Sequence, residues 1–438
     1  MALRRISYYG LETEMLTLDS EGKLVEGGPS VIKAAKESRI SKFVEKELSR
    51  AQVELLAKEK RGVREVASEY LDNLLELSDI AMKEGFHLLP LGAHPGRVVP
   101  KLERNDWYDS LRTVLEEDVF IEGRICGFHF HYTLPEGIVH RDTQQIKTVR
   151  RSRAREIFLH QYNFLLAADP AILTFCQSSP FWMGYHWGKD CRVLLYRDMR
   201  VDKGERRLKG MHYHLPIFGA LPSYEFTLED IRVMADRRKT EWMRILERKR
   251  FPTNKIASVP ALKFMWGPIR VNKIGTFEYR GPDMNNPQII FMASRLLVYL
   301  LKAIEKQGLK VLPSDIGADE PFTLEGDTIY VPPHSTLKYL EKQSATSGFD
   351  SRDVRDYCSS LFSLMEKLCG RRIAARLTPL RRMIDERRSV SDEILSIVKK
   401  NGYSLEEEVP EDMLNHVALV YADRLRSDIE AAKAYVRD

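Results

Sequence analysis

The stretch GFHFHYTLP, residues 127–135, places His129 and His131 at alternate positions of a segment rich in aromatic residues. This alternation predicts a β-strand, in which side chains two residues apart leave the same face. Both imidazoles would then share one face, and the aromatic side chains between them would occupy the other. The stretch therefore predicts a strand that is packed on one side and carries potential ligands or acid–base groups on the other.

Two further stretches repeat this pattern. GLETEM presents Glu12 and Glu14, and GTFEYR presents Glu278 and Arg280. Any one such pair is also what an amphipathic strand with a solvated face would show. The threefold repetition, each time beside a glycine, favours a single sheet with a shared polar face.

A polar face of this composition favours a metal and phosphate site. Carboxylates gathered on a sheet repel one another and are costly to desolvate, unless a cation lies among them. Carboxylate oxygens favour Mg²⁺ or Mn²⁺, and Mg²⁺ usually completes its coordination shell with water and phosphate oxygens. The planar donors of Arg280 suit such a phosphate.

The same residues resemble motifs of the glutamate–cysteine ligase family, especially its carboxylate–amine ligase branch within the glutamine-synthetase-like superfamily. The similarity runs in order over about residues 8–287, some two thirds of the chain, and SSPFW and GTFEYRGPD are its most specific parts. The matching stretches are GLETE at 10–14, an acidic pair at Glu47 and Glu54, GAHPG at 92–96, GFHFHYTLP at 127–135, SSPFWMGYHWG at 178–188, LPIFGALP at 215–222 and GTFEYRGPD at 275–283.

This resemblance implies an α+β fold whose antiparallel sheet curves over an ATP and metal site, as in glutamine-synthetase-like catalytic domains. It implies a reaction that uses ATP to form an amide from a glutamate-like carboxylate and an amine, through an acyl phosphate. Cysteine is the usual amine in the family. Arg280 would hold the γ-phosphate, and a further arginine would be Arg192 or Arg197. The implied ligands of the catalytic Mg²⁺ ions are Glu12, Glu14, Glu54, His129 and Glu278, with Glu47 as a further candidate.

Two of these assignments depend on strand geometry. Glu47 and Glu54 are seven residues apart, so they would point to opposite faces of one continuous strand, which makes Glu47 the less secure ligand. His131 shares a face with His129, and a neutral histidine there could accept the proton that the amine must lose. A strand histidine satisfied by hydrogen bonds is the alternative for His131.

The whole chain mixes strands and helices without regular β–α–β alternation, which favours an α+β domain on an antiparallel sheet. No strand signal follows about residue 345, so the sequence predicts a catalytic domain over 1–345 and a helical C-terminal region over 346–438. Strands are predicted at 6–18, 86–92, 123–134 and 274–281, a hairpin turn at 19–28, and helices at 62–84, 142–169 and 226–249.

Composition leaves the partner open, and the absence of a membrane-span pattern together with the cysteine usage favours the cytosol. Lys and Arg outnumber Asp and Glu by only 68 to 63, which is too weak a bias to indicate nucleic acid. The longest apolar segment, 289–301, is interrupted by Arg295 and is shorter than the ~20 residues of a membrane span. Five cysteines without CxxC spacing are typical of reduced thiols. We therefore expect a cytoplasmic protein without a nucleic-acid or membrane partner, and homo-oligomerisation stays open.

Two alternative functions stay open. A cupin-type iron or zinc enzyme would use His129 and His131 together with Glu136, and a second alternating pair occurs at His212 and His214, although a second cupin motif is absent. An amidase or a non-catalytic relative could also keep the ligase fold. The intact acidic strands argue against a catalytically silent relative, but they do not distinguish amide formation from amide hydrolysis.

Overall fold

The computed structural model describes residues 8–60, 62–140, 144–147 and 152–437. The strands, in chain order, are β1 (Tyr9–Leu18), β2 (Val44–Lys46), β3 (Gln52–Lys60), β4 (His87–Leu89), β5 (Phe128–Thr133), β6 (Val139–His140), β7 (Gln145–Ile146), β8 (Phe181–Trp182), β9 (Tyr185–His186), β10 (Arg200–Lys203), β11 (Arg206–Lys209), β12 (Ile269–Asn272), β13 (Thr276–Tyr279), β14 (Lys310–Pro313), β15 (Thr323–Glu325) and β16 (Thr328–Val331).

The helices pack mainly around one face of the central sheet and dominate the last quarter of the chain. In chain order they are α1 (Gly28–Lys36), α2 (Val63–Lys83), α3 (Asp106–Leu115), α4 (Val119–Glu122), α5 (Arg153–Phe175), α6 (Cys191–Tyr196), α7 (Pro216–Gly219), α8 (Leu228–Arg248), α9 (Pro287–Gln307), α10 (Asp315–Asp319), α11 (His334–Ser347), α12 (Arg352–Cys369), α13 (Arg371–Ala374), α14 (Thr378–Glu386), α15 (Val390–Lys400) and α16 (Glu411–Arg437). Short 3₁₀ turns lie at Glu116–Asp118, Thr253–Lys255, Ala261–Phe264, Gly348–Asp350 and Ala375–Leu377.

The central sheet is antiparallel throughout its described pairings. Its strand order is β12-β13-β5-β1-β3-β2, and β4 pairs with the end of β1. The three strands predicted to carry polar pairs are therefore direct neighbours, as β13, β5 and β1. The predicted α+β fold on an antiparallel sheet is confirmed.

Helices α2, α5 and α9 cover the apolar face of this sheet. The hydroxyl of Tyr70 on α2 donates a hydrogen bond to Oγ1 of Thr13 on β1, at 3.1 Å. Phe158 on α5 stacks on Phe277 of β13 with ring centroids 4.9 Å apart. Phe291 on α9 meets Tyr70 edge to face at 5.6 Å. Since one face is closed by aromatic packing, the polar side chains of the same strands are left on the other face.

Helix α9 contains the longest apolar segment of the sequence. Its length and composition would allow it to cross a membrane, but 83% of the relevant window is buried inside the protein. Arg295, at the middle of the helix, is only 8% exposed, and its guanidinium lies 4.9 Å from the ring centroid of Tyr435 on α16. Helix α9 is thus a core helix around which the C-terminal helices pack.

The predicted helical C-terminal region is confirmed by α11 to α16. Leu414, Val417 and Ile429 of α16 are fully buried in the same core as the sheet. Helix α11 spans position 345, where the sequence predicts a domain boundary. That division into two domains stays a prediction.

Two local predictions differ from the structure. The helix predicted over 142–169 begins only at Arg153, because the Ser152 side chain accepts a hydrogen bond from the Arg155 amide and caps it there. Of the preceding residues, 145–146 lie in a short strand, and 141–143 and 148–151 lie outside the described residues. The hairpin predicted at 19–28 is reduced to a turn closed by a bridge between Leu18 and Leu24, after which α1 begins.

We expect Phe158→Ala to lower the free energy of unfolding by about 3–5 kcal/mol, because it empties a fully buried ring position between α5 and β13. Urea unfolding followed by tryptophan fluorescence measures this loss. Phe226→Ala is the matched control, since that ring is 60% exposed and its removal should change stability by less than about 0.5 kcal/mol. Equal losses in the two variants would contradict the assignment of Phe158 to the core.

Candidate active site

The register of the central sheet gathers the acidic and histidine side chains on one face. Glu12 lies directly opposite His129, His131 lies opposite Glu278, and Glu14 lies opposite Glu54. Side chains directly opposite each other in an antiparallel pair point to the same side of the sheet. Each polar pair that the sequence predicts is therefore matched by a polar residue on the neighbouring strand.

Glu12 lies at the centre of this cluster. Its Oε2 is 3.2 Å from Nδ1 of His129, and its Oε1 is 3.1 Å from Nε2 of His131. Nε2 of His129 is 3.6 Å from Oε1 of Glu14. Among the described residues, two groups of three side chains could each hold a metal ion, because the potential ligand atoms inside each group lie within 4.8 Å of one another. They are Glu12, Glu54 and His129, and Glu12, His131 and Glu278.

Glu278 is fully buried and held by two arginines. Nε of Arg270, on the neighbouring strand β12, lies 2.9 Å from Oε2 of Glu278, and Nη1 of Arg280 lies 2.6 Å from its Oε1. Burial would raise the pKa of Glu278, but the two guanidinium groups outweigh burial and hold that pKa well below its usual range. Glu278 therefore stays ionised in this setting.

The two central histidines respond in opposite ways to the same surroundings. Burial and the charge of Arg280 lower the pKa of His129. At His131 the carboxylate of Glu12 outweighs burial and raises the pKa. Nδ1 of His131 also lies 2.9 Å from Oγ1 of Thr276, so both ring nitrogens of His131 face a partner.

A cavity of about 110 Å³ opens above these strands. Carboxylates, one histidine and three arginines contribute to its lining. Its lining residues are Glu12, Glu14, Glu47, Leu48, Gln52, Glu54, Glu122, Ile125, His129, Arg192, Tyr196, Arg270 and Arg280.

Glu47 and Glu54 both line this cavity, which corrects the expectation drawn from their spacing. That expectation assumed one continuous strand. In the structure β2 ends at Lys46 and β3 begins at Gln52, so the chain reverses between the two acids. Parity along a single strand therefore does not apply, and Glu47 lies beside Glu54 as the family pattern implies.

The acids on the β2 and β3 side of the cavity resist ionisation. Burial raises the pKa of Glu47 to about 8, with a further contribution from the charge of Glu14. Burial also raises the pKa of Glu54 well above its usual range, and Glu47 adds to that shift. Burial raises the pKa of Glu122 to about 7, against the opposing charge of Arg280. A divalent cation bound among these groups would favour their charged forms.

Of the two arginines considered for the site, Arg192 lines the cavity. Its Nη1 donates to the carbonyl of Gly281 at 2.8 Å, which ties α6 to the loop after β13. A Cβ atom on Gly127 would lie 2.3 Å from Nη2 of Arg192, so glycine is needed where the guanidinium passes β5. Arg197 instead forms buried ion pairs with Asp169, at 2.7 Å, and with Glu341.

The motifs SSPFW and GTFEYRGPD meet at Asp283. Its Oδ2 accepts a hydrogen bond from the Ser178 amide at 2.9 Å and another from the Ser179 hydroxyl at 2.7 Å. Gly92, in the stretch GAHPG, lies against the same carboxylate, where a Cβ atom would come within 2.2 Å of Cγ. SSPFW and GAHPG therefore hold the backbone that carries Arg280, and the lining residues given above include none of theirs.

Several cavity residues were not predicted from the sequence. Arg270 shares one face of β12 with Asn272, so the stretch IRVN shows the same alternation as the predicted strands. Because IRVN lies just before a turn and GTFEYR, this alternation could have identified Arg270 from the sequence. Glu122 ends the short helix α4, and Tyr196 ends α6. A single polar residue at the end of a short helix carries no periodic signal.

The residues expected of a cupin do not come together. Glu136 is exposed, although His129 and His131 are buried. His212 lies behind Tyr196, with Nδ1 2.5 Å from the Tyr196 carbonyl oxygen, and His214 is exposed in a turn. The acids around His129 and His131 come instead from β1, β3 and β13, which a cupin would not require.

Comparison with known sequences finds the same family that the motifs resemble. Residues 8–255 match the model of glutamate-cysteine ligase family 2. The putative glutamate–cysteine ligase 2 of Gloeobacter violaceus is 24% identical over 195 residues, which cover 43% of this chain and 47% of that protein. The match therefore spans about half the length of this curated relative.

Comparison with solved structures shows the fold. Glutamate–cysteine ligase from Francisella tularensis, solved in complex with AMP, matches with a TM-score of 0.58 and 12% identity, covering 99% of this chain and 93% of that one. A bifunctional glutathione synthetase from Pasteurella multocida also matches with a TM-score of 0.58, at 11% identity, covering 96% of this chain and 52% of that one.

We expect Glu54→Gln to stabilise the protein when divalent cations are removed, because it takes one buried carboxylate out of a mutually repulsive group. The expected gain in the free energy of unfolding is about 1 kcal/mol, which is typical of a single stabilising substitution. The same change should reduce the stabilisation that added Mg²⁺ gives, because ligand binding stabilises only a protein that can bind it. Thermal melts in EDTA and in Mg²⁺ measure both effects.

The matched control is Glu247→Gln, which alters an exposed carboxylate on α8. It should leave the response to Mg²⁺ unchanged. A Glu54→Gln protein that is less stable than the wild type in EDTA would contradict the repulsion that we infer for the cluster.

Proposed function

Because the chain belongs to the glutamate–cysteine ligase family 2, we propose that it is an ATP-dependent ligase that joins a carboxylate to an amine as an amide. One observation carries this proposal. The register of β1, β3, β5 and β13 places the acids and histidines of the family pattern on one sheet face, with Arg280 beside them. A protein that only binds small molecules has no need of so costly a cluster of buried charges.

In the proposed reaction, the carboxylate of glutamate or a similar amino acid attacks the γ-phosphorus of ATP, the bond to the β,γ-bridging oxygen breaks, ADP leaves, and an acyl phosphate forms. An amine then displaces phosphate and forms the amide. The first step brings an anionic oxygen against an anionic phosphate, so the site must position the reactants and neutralise charge.

The donor set of the cavity fits Mg²⁺, with Mn²⁺ as a second option, because most of the donors are carboxylate oxygens. Glu12, Glu14, Glu54, His129 and Glu278 would hold the ions, and Glu47 would complete the set. Bound there, Mg²⁺ would offset the charge of the ATP phosphates.

Two cationic side chains would act on the phosphates directly. We propose Arg280 as the group that holds the transferring phosphoryl, because its guanidinium contacts Glu278 through Nη1 and lines the cavity. Arg192 is the second, and its ties to the loop after β13 keep it in place. The ion pairs of Arg197 remove it from this role.

His131 is better suited to support the metal ions than to accept the amine proton. Its ring faces Thr276 on one side and Glu12 on the other, and it belongs to the group with Glu12 and Glu278. A proton acceptor needs a lone pair directed at the substrate. Its predicted role in proton transfer stays a prediction.

The first test is phosphate release from ATP and Mg²⁺ in the presence of glutamate and one amine at a time, with cysteine in the panel. We expect phosphate release that depends on the amine, together with a product of the mass of the amide. Hydrolysis of that amide without ATP would support an amidase instead. Absence of both reactions, with no binding of Mg²⁺-ATP in calorimetry, would contradict the ligase proposal.

A second test replaces the guanidinium proposed to hold the phosphate. Arg280→Lys should lower the rate of phosphoryl transfer by about a hundredfold, because a point charge replaces a planar pair of donors. Single-turnover measurement of phosphate formation gives this rate, and Arg207→Lys on the exposed strand β11 is the control. Unchanged rates in Arg280→Lys would remove Arg280 from the phosphate site.

Glu278→Ala should abolish turnover and weaken binding of Mg²⁺-ATP while the fold remains intact.

A further inference from the structure

Glu122 is a carboxylate of the cavity that the proposed function has not yet used. It ends helix α4 and lines the cavity together with the acids of β1 and β3. It belongs to neither group of atoms that could hold a metal ion, and it is absent from the motifs that match the family. Its Oε2 is buried, and within the described residues it has no hydrogen-bond partner.

The backbone fixes Glu122 in place, while among the described residues one oxygen of its side chain has no hydrogen-bond partner. Nε2 of Gln52 donates to the carbonyl of Glu122 at 3.1 Å, and this links the end of α4 to the start of β3. A buried carboxylate oxygen that lacks a hydrogen bond costs free energy, so it indicates a group that the bound state supplies.

The surroundings of Glu122 show what that group would be. Glu122 and Tyr196 line the same cavity. The hydroxyl of Tyr196 is also buried without a hydrogen-bond partner among the described residues. A carboxylate oxygen and a hydroxyl that both lack a hydrogen-bond partner are suited to an organic cation, which can donate a charged hydrogen bond to the first and a second hydrogen bond to the other.

The ligase reaction brings one such cation to the cavity. An aliphatic amine is protonated at neutral pH, and it must leave water to approach the acyl group. We propose that Glu122 binds the ammonium group of the amine substrate and thereby selects amines that arrive as cations. This inference rests on the proposed ligase function, since it assigns the second substrate of the same site.

The test compares two kinds of nucleophile in the wild type and in Glu122→Gln. Hydroxylamine is largely uncharged at neutral pH and traps an acyl phosphate as a hydroxamate. The cationic amines are ammonia, L-cysteine, L-alanine and ethanolamine, each supplied with ATP, Mg²⁺ and glutamate. For the best of these amines, Glu122→Gln should lower kcat/KM relative to that for hydroxylamine by about tenfold or more, because a charged hydrogen bond becomes a neutral one.

Two further variants separate this role from a structural one. Glu122→Asp keeps the charge and should recover part of the preference for the cationic amine. Glu117→Gln changes an exposed carboxylate in the turn before α4 and should leave the preference unchanged. The KM for Mg²⁺-ATP should be the same in the wild type and Glu122→Gln, and a raised value would assign Glu122 to the metal ions instead.

The outcomes distinguish this inference from the proposal on which it rests. If the wild type forms neither hydroxamate nor amide with ATP, the ligase proposal fails and the inference falls with it. If the wild type forms hydroxamate but uses none of the cationic amines, or if Glu122→Gln leaves the ratio unchanged, only the role of Glu122 is overturned.

Discussion

Mutual repulsion among buried carboxylates is the constraint around which this protein is organised. The acids of β1, β3 and β13 lie on one sheet face, and removing them from water is unfavourable unless each meets a positive charge. The protein supplies that charge unevenly. Glu278 forms ion pairs with two arginines, whereas among the described residues Glu47 and Glu54 form none and have raised pKa values. The apolar face, packed by α2, α5 and α9, provides the stability that makes such an arrangement tolerable.

The motifs that match the family pattern form two groups. One group lines the cavity, and the other holds the backbone around it. The strand motifs supply side chains to the cavity, and SSPFW and GAHPG fix the carboxylate of Asp283 beneath it. Because Arg192 donates to the carbonyl of Gly281, the loop that follows β13 is fastened on two sides. The position of Arg280 thus depends on residues remote in sequence, which explains why a strand that supplies the cavity and a buried serine pair belong to one pattern.

The sequence predicted the site best where a periodic signal exists. Alternation along a strand fixes which side chains share a face, so the sequence could predict that residues 12, 14, 129 and 278 lie on the polar face, and their role as metal ligands stays a prediction. The same rule failed for Glu47, because it cannot detect that a chain reverses between two short strands. Residues on isolated helical turns, such as Glu122, have no period to reveal them. The late start of α5 reflects a serine cap, a local preference that the apolar pattern does not encode.

The sharing of Glu12 between the two groups of potential metal ligands has a consequence for how the site would fill. Two ions that use one carboxylate cannot bind independently, since the first ion fixes the rotamer and the remaining lone pairs on which the second depends. Occupancy of one position would set the affinity of the other. The two positions would therefore be energetically coupled and would not fill independently of each other.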